Sequence, residues 1–186
     1  MNPSLAYTSA DLELLPDVEG TRYEIIDGDL YVSEESSVPH QYACTQLICD
    51  IGNWIESGGS GVVVCAPGVI FAPDQDVAPD AVWISSERLK DALDEAGHLR
   101  IAPELMIEVL SPGAENVRRD RELKLKLYSR QDVAEYWIVD WQQQAIEVYR
   151  RDGETLQLVE TLGNADTLTT PLLPGFTCPL SRLWMA

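Results

Sequence analysis

The apolar positions of this chain fall into two rhythms, one of strands and one of helices. TRYEIIDGDLYVS (21–33) reads as two short strands around Asp27-Gly28, a dipeptide that favours a tight hairpin turn. HQYACTQLICDIGNWIESGGSG (40–61) has helical spacing through Leu47, Ile48, Ile51, Trp54 and Ile55 and ends in glycines. GVVVCAPGVIFA (61–72) predicts one or two strands. After PDQDVAP come the short strand DAVWIS (80–85) and a polar helix over SERLKDALDEAG (86–97). PELMIEVLSPG (103–113) has the apolar density of a strand buried on both faces, and NVRRDRELKLKLYSRQ (116–131) follows it as a helix. EYWIVDW and AIEVYRR are strands joined by Gln142-Gln143-Gln144; ETLQLVE adds another before an irregular, proline-rich close. Strands interleaved with helices, without repeat or linker, predict a single mixed α/β (α+β) domain over residues 1–186: a central mixed sheet flanked by helices, with an N-terminal β-hairpin.

Two charged residues break this pattern. Glu108 interrupts the apolar run Leu105–Leu110 just before Ser111-Pro112-Gly113 ends it, and a carboxylate buried without a partner costs several kcal/mol, roughly 3–5 when an ion pair is broken. Lys124 is the second. At about 100° per residue, Val117, Leu127 and Tyr128 lie within about 60° of it, whereas Lys126 falls on the opposite face beside Arg119 and Arg130. Lys124 therefore points inward, and Glu108, on the strand before it, is its candidate partner. The pair alone is open between a structural ion pair, a lysine whose stem covers apolar surface, and a site. Asp80, at the start of DAVWIS, adds a second acid. Two neighbouring carboxylates repel unless a cation intervenes, and such a pair with a backbone carbonyl suits Mg²⁺ or Mn²⁺. A lysine beside it can orient or deprotonate water, or stabilise phosphate charge.

Charge constrains the partners. The formal net charge is −18, with 3 basic and 16 acidic residues over 1–93. That weakens any grip on nucleic acid, which normally meets a basic surface. The exception is Arg118–Arg130, six cations against Asp120 and Glu122, where an anionic ligand is expected to approach. Arg121, nearer the inward stripe, is a candidate phosphate contact or a partner of Asp120 or Glu122; Arg118 and Arg119 suit phosphate contact or a solvated face equally. His40, after Pro39, is a second possible phosphate contact, although a histidine at a helix start more often faces solvent. Asp74 and Asp76 lack the remaining ligands of a calcium loop and read as loop acids; His98 carries no signal. Cys44, Cys49, Cys65 and Cys178 form no CxxC pair and read as small core residues. No nucleotide-binding or serine-hydrolase motif occurs. Neither a membrane span nor a leader signal is visible in MNPSLAYTSADLELL, which predicts a cytoplasmic protein.

The series YEIIDGDL, APD with AVWIS, PELMIEVLSPG and RRDRELKLKLYSRQDVAEYWIVD resembles a widespread bacterial "putative restriction endonuclease" family of the PD-(D/E)xK nuclease superfamily. The resemblance covers about residues 8 to 180 and is most specific at IEVLSP and at K…LY…YWIVD. It implies a restriction-endonuclease-like fold and Mg²⁺-dependent (or Mn²⁺-dependent) hydrolysis of DNA phosphodiesters. Asp80 matches the aspartate of the Pro-Asp motif and Glu108 the second acid, with the Val109 carbonyl as a possible third metal ligand. The superfamily lysine usually stands two residues after the second acid, where this chain has Leu110; the family pattern instead supplies Lys124. Glu24 matches an early glutamate able to assist the metal, although a hairpin glutamate more often faces solvent. The expected function is a DNA endonuclease, for which a symmetric homodimer would suit cleavage of both strands. Its rivals are a non-catalytic binding or assembly protein of the same fold, which the acidic charge favours, and a metal-dependent hydrolase of small phosphoesters.

Overall fold

The structure, a computed structural model, describes residues 6–185; residues 1–5, part of the stretch read for a leader signal, and residue 186 lie outside. A short helix α1 (Ser9–Leu12) precedes the predicted hairpin, β1 (Arg22–Ile26) and β2 (Asp29–Ser33), paired in register from Arg22↔Ser33 to Ile26↔Asp29. Asp27 and Gly28 have φ of 52° and 78°. Positive φ at both central residues is what a two-residue hairpin turn matching the strand twist requires. Helix α2 (Val38–Glu56) carries Pro39 in its first turn and is followed by Ser57-Gly58. GVVVCAPGVIFA divides into β3 (Val62–Cys65) and β4 (Val69–Ala72), and β5 (Gln75–Val77) and β6 (Ala81–Ile84) follow.

The long polar helix expected over 86–97 reduces to α3 (Ser86–Leu89). Beyond it Asp94 accepts the backbone N–H groups of Ala96 (3.0 Å) and His98 (2.8 Å), and Arg100 N–H returns to the Ala92 carbonyl. The Asp94 side chain thus takes amides that a continuing helix would use. Next come β7 (Leu105–Val109), helices α4 (Ala114–Arg118) and α5 (Leu125–Arg130) fused through a π-helical stretch (Arg119–Lys124), β8 (Glu135–Asp140), β9 (Ala145–Asp152) and β10 (Thr155–Gly163). A two-stranded pair, β11 (Thr167–Leu168) with β12 (Cys178–Pro179), and a 3₁₀ turn (Leu180–Arg182) close the chain.

The large sheet has the order β10-β9-β8-β7-β6-β3, and a smaller one β2-β1-β5-β4. The pair β7–β8 is parallel and its neighbours antiparallel, so the sheet is mixed. Side chains alternate across it. Leu105, Ile107 and Val109 join Trp137, Val139 and the α2 residues Ala43, Leu47 and Ile51 in one core. Met106 and Leu110 join Tyr136, Ile138, Leu127, Tyr128 and the smaller sheet's Ile26, Val69 and Val77 in the other. Glu108 shares the parity of Met106 and Leu110, so it faces α5 and the small sheet. Of the cysteines read as core, Cys44 and Cys178 are buried but Cys49 and Cys65 are exposed. Cys49 lies two positions after buried Leu47, roughly 200° around α2, and Cys65 ends the edge strand β3. No described helix is long and apolar enough to cross a membrane.

Ile107 is fully buried against α2. Ile107→Ala is expected to lower unfolding free energy by about 2–5 kcal/mol in urea denaturation, whereas the same change at exposed Val32 stays within roughly 0.5 kcal/mol.

Candidate active site

Strand register brings the two acids together. Ala81 pairs with Ile107 and Val82 with Met106, and one further step along these antiparallel strands sets Asp80 opposite Glu108 on the same face. Asp80 is anchored by its neighbours: Oδ2 accepts the Val109 N–H at 2.8 Å, and Arg22 Nη1 donates to Oδ1 at 3.3 Å. His40 Nε2 lies 3.3 Å from Oδ2. Burial opposes ionisation of Asp80, but His40, the Val109 amide and Lys124 outweigh it and hold its pKa below the usual carboxylate value.

Lys124 is 1% exposed and lies where the stripe argument expects it. Its Nζ is 2.9 Å from Glu108 Oε1, 2.9 Å from Glu24 Oε1 and 3.7 Å from Asp120 Oδ1. Tyr128 Oη donates to the same Glu108 oxygen at 2.8 Å. Burial works against the ammonium, yet Glu108, Glu24 and Asp120 prevail and raise its pKa above the normal lysine value. Glu108 behaves oppositely. Burial pushes its carboxyl up to about 8, Lys124 offsets only part of this, and Asp120, Asp80 and Glu24 repel its charge.

Three expectations need correction. Glu24, expected in solvent, is 1% exposed. It points under the small sheet, where Oε1 also accepts the Ala78 N–H at 3.0 Å and Arg119 Nε lies 3.8 Å from Oε2. Burial disfavours its charge, but Lys124 and Arg119 lower its pKa below the ordinary glutamate value. His40, also expected in solvent, is buried against Asp80, with no partner for Nδ1 among the described residues. Arg121 is not in the cleft; it pairs with Glu147 (2.7 Å) and Asp140 (3.5 Å), not with Asp120 or Glu122.

The π-helical stretch explains the residues that periodicity misplaced. On an α-helical wheel, residues five apart lie roughly 140° from each other, which put Arg119 opposite Lys124. The i→i+5 bonding of a π-helix brings such residues to one side. Arg119 is accordingly buried with Lys124, and Val117, expected on the inward stripe, is only half-buried. Asp120, treated as a surface counter-charge, is buried too, 3.5 Å from Arg119. Its signal was available, since four residues before Lys124 is about 40° from it on the helical wheel. Arg22 left no signal beyond its place in the hairpin.

These groups line a cleft of about 430 Å³ that also includes Gly20, Thr21, Ser33, Glu34, Glu35 and Ser111. Glu24, Asp80, Glu108 and Asp120 face Arg22, Arg119 and Lys124 across it. Among the described residues no three His, Cys, Asp or Glu side chains converge as a closed metal-ligand set. The hard oxygens of Asp80 and Glu108 nevertheless fit Mg²⁺, which binds through one or two carboxylates and keeps waters.

A mixed sheet that delivers two acids from adjacent strands, with a lysine from the next helix, has the architecture of a restriction-endonuclease-like nuclease. A family model described as "Putative restriction endonuclease" (Uma2) matches residues 9–181, and the chain belongs to that family. Its fold is shared by the crystal structure of "a putative nuclease belonging to DUF820" from Anabaena variabilis ATCC 29413. The TM-score is 0.74 and the identity 19%, over 95% of this chain and 96% of that one. No curated protein matches the chain.

Because the folded carboxyl of Glu108 titrates at about 8, above its ordinary 4.5, the fold holds its proton more tightly than the unfolded chain. The stabilisation this confers is complete below pH 4.5 and is lost as pH rises through 8. Glu108→Gln removes the titration. In metal-free buffer its Tm relative to the parent is expected to be higher at pH 9 than at pH 5, because only the parent must ionise a buried carboxyl as pH rises. Parallel thermal-denaturation profiles would contradict the assignment.

Proposed function

We propose that the chain is a Mg²⁺-dependent DNA endonuclease that hydrolyses phosphodiester bonds, with Mn²⁺ able to substitute. The observation that carries the reading is the meeting of strand-end acids Asp80 and Glu108 with a buried, charged Lys124 in one solvent-connected cleft. Asp80, Glu108 and the Val109 carbonyl would hold the ion. When bound, the ion supplies Lewis-acid neutralisation of charge developing on the phosphoryl oxygens.

Each remaining part falls to the chain's own groups. Tyr128 and Lys124 orient Glu108 by hydrogen bonds to one oxygen, leaving its other oxygen without a protein donor among the described residues. The Val109 amide and Arg22 fix Asp80. Since its carboxylate neighbours keep Lys124 protonated, it acts as a positive charge at the attacked phosphate and not as a general base. Glu24 and Asp120 hold Lys124 in position. His40 braces Asp80 and lines the cleft wall, where it could also meet a phosphate.

Asp80→Asn, Glu108→Gln and Lys124→Ala are each expected to reduce Mg²⁺-dependent cleavage of an oligodeoxynucleotide by roughly 100-fold or more, with circular dichroism unchanged for the two isosteric variants. Full activity in the Asp80/Glu108 double variant would overturn the proposal.

A further inference from the structure

The mouth of the cleft carries the wrong sign for a long nucleic acid. Glu34 and Glu35, in the loop after β2, are exposed there. Glu35 is built into this place: its side chain packs on Gly20, where φ is +77° and any Cβ would collide with the glutamate stem. Exposed cations offer little counterweight. Among the described residues, every Lys and Arg except Lys90 has a carboxylate oxygen within 4.0 Å. Even on the basic stretch, Arg118 pairs with Glu122 at 3.2 Å, and Lys126 and Arg130 share Asp27 at 3.9 and 2.6 Å.

An exposed pair is worth only about 0–1 kcal/mol, so a phosphate could displace the carboxylate. The displaced carboxylate stays nearby, however, and the trio of cation, carboxylate and phosphate is net negative. The repulsion then grows with each phosphate laid across the surface. The floor is different. There four carboxylates face three cations, and a divalent ion would turn that balance positive. One phosphate reaching the floor is therefore favoured, and a long row of phosphates across the rim is not.

We propose, resting on the nuclease reading, that the cleft takes a short or single-stranded segment of a few nucleotides and disfavours a continuous duplex, with Glu34 and Glu35 setting the choice. The test measures binding and cleavage separately on the full chain. Fluorescence anisotropy with Ca²⁺ in place of Mg²⁺ compares a labelled single-stranded decamer with a 30-base-pair duplex across a salt series; hydrolysis of both is then followed with Mg²⁺. The single strand is expected to bind at least roughly tenfold more tightly, with log affinity falling against log salt at a slope no steeper than about −2, the signature of very few phosphate contacts. Glu34→Gln/Glu35→Gln should raise the duplex-to-single-strand affinity ratio at least roughly threefold, equivalent to losing at least about 0.6 kcal/mol of discrimination. Equal or tighter duplex binding with a slope steeper than about −5, or an unchanged ratio in the double variant, would overturn this inference. Preference for the single strand without hydrolysis of either substrate would support the selectivity and count against the nuclease reading alone.

Discussion

The ammonium of Lys124, enclosed between Glu24 and Glu108 at 2.9 Å from each, is the contact on which the rest of the site depends. Three separate parts of the chain converge on that one charge: the N-terminal hairpin, the central strand β7 and the helix after it. Removing the lysine would leave Glu24, Glu108 and Asp120 buried with Arg119 as their remaining close cation, and uncompensated burial of one charge already costs about 3–5 kcal/mol. The same cluster explains why the small sheet sits where it does. Glu24 can reach Lys124 only if β1 lies over the helix face that carries it, and the apolar contacts of Ile26, Val69 and Val77 hold it there.

The cluster is also incompletely neutralised, and this gives it chemical capacity. Burial drives Glu108 toward its protonated form while Lys124 stays charged. A carboxyl held between two protonation states beside an ionised Asp80 responds strongly to an added cation, because a nearby positive charge favours ionisation. Leu110, at the position where the sequence resemblance would lead one to expect a lysine, is packed in the core with Leu127 and Tyr128. A lysine there would have to displace that packing; Lys124 comes from the facing helix without disturbing it.

Much of this was legible in the sequence because strands and α-helices have fixed periods. The Asp27-Gly28 turn, the two-faced burial of β7 and the inward direction of Lys124 all follow from residue spacing alone. What was not legible has two physical causes. The π-helical stretch changes the period inside one helix, so Arg119 was placed on the face opposite Lys124, and Arg121 was placed too near the site. Glu24 and His40 are buried by tertiary contacts from residues far along the chain, Lys124 and Asp80, and no local pattern records such partners. Asp120 differs from these: its inward position was readable from the wheel, but its adjacency to arginines made it look like a surface counter-charge.

The acidic character of the chain, which argued against a nucleic-acid partner, acquires a location in the structure. Acids occupy the cleft rim and pair with the exposed arginines, while the floor sets Arg22, Arg119 and Lys124 against four carboxylates whose balance a divalent ion would reverse. Affinity for a phosphate would then come from the floor and its ion, not from an extended basic surface. The central claim, that Asp80 and Glu108 form a cation site beside Lys124, is tested most directly by anomalous diffraction from crystals soaked in Mn²⁺. The account predicts one strong peak bound by carboxylate oxygens of both Asp80 and Glu108, with the Lys124 side chain lining the same cleft. An absent peak at saturating Mn²⁺, or one bound by neither residue, would contradict it.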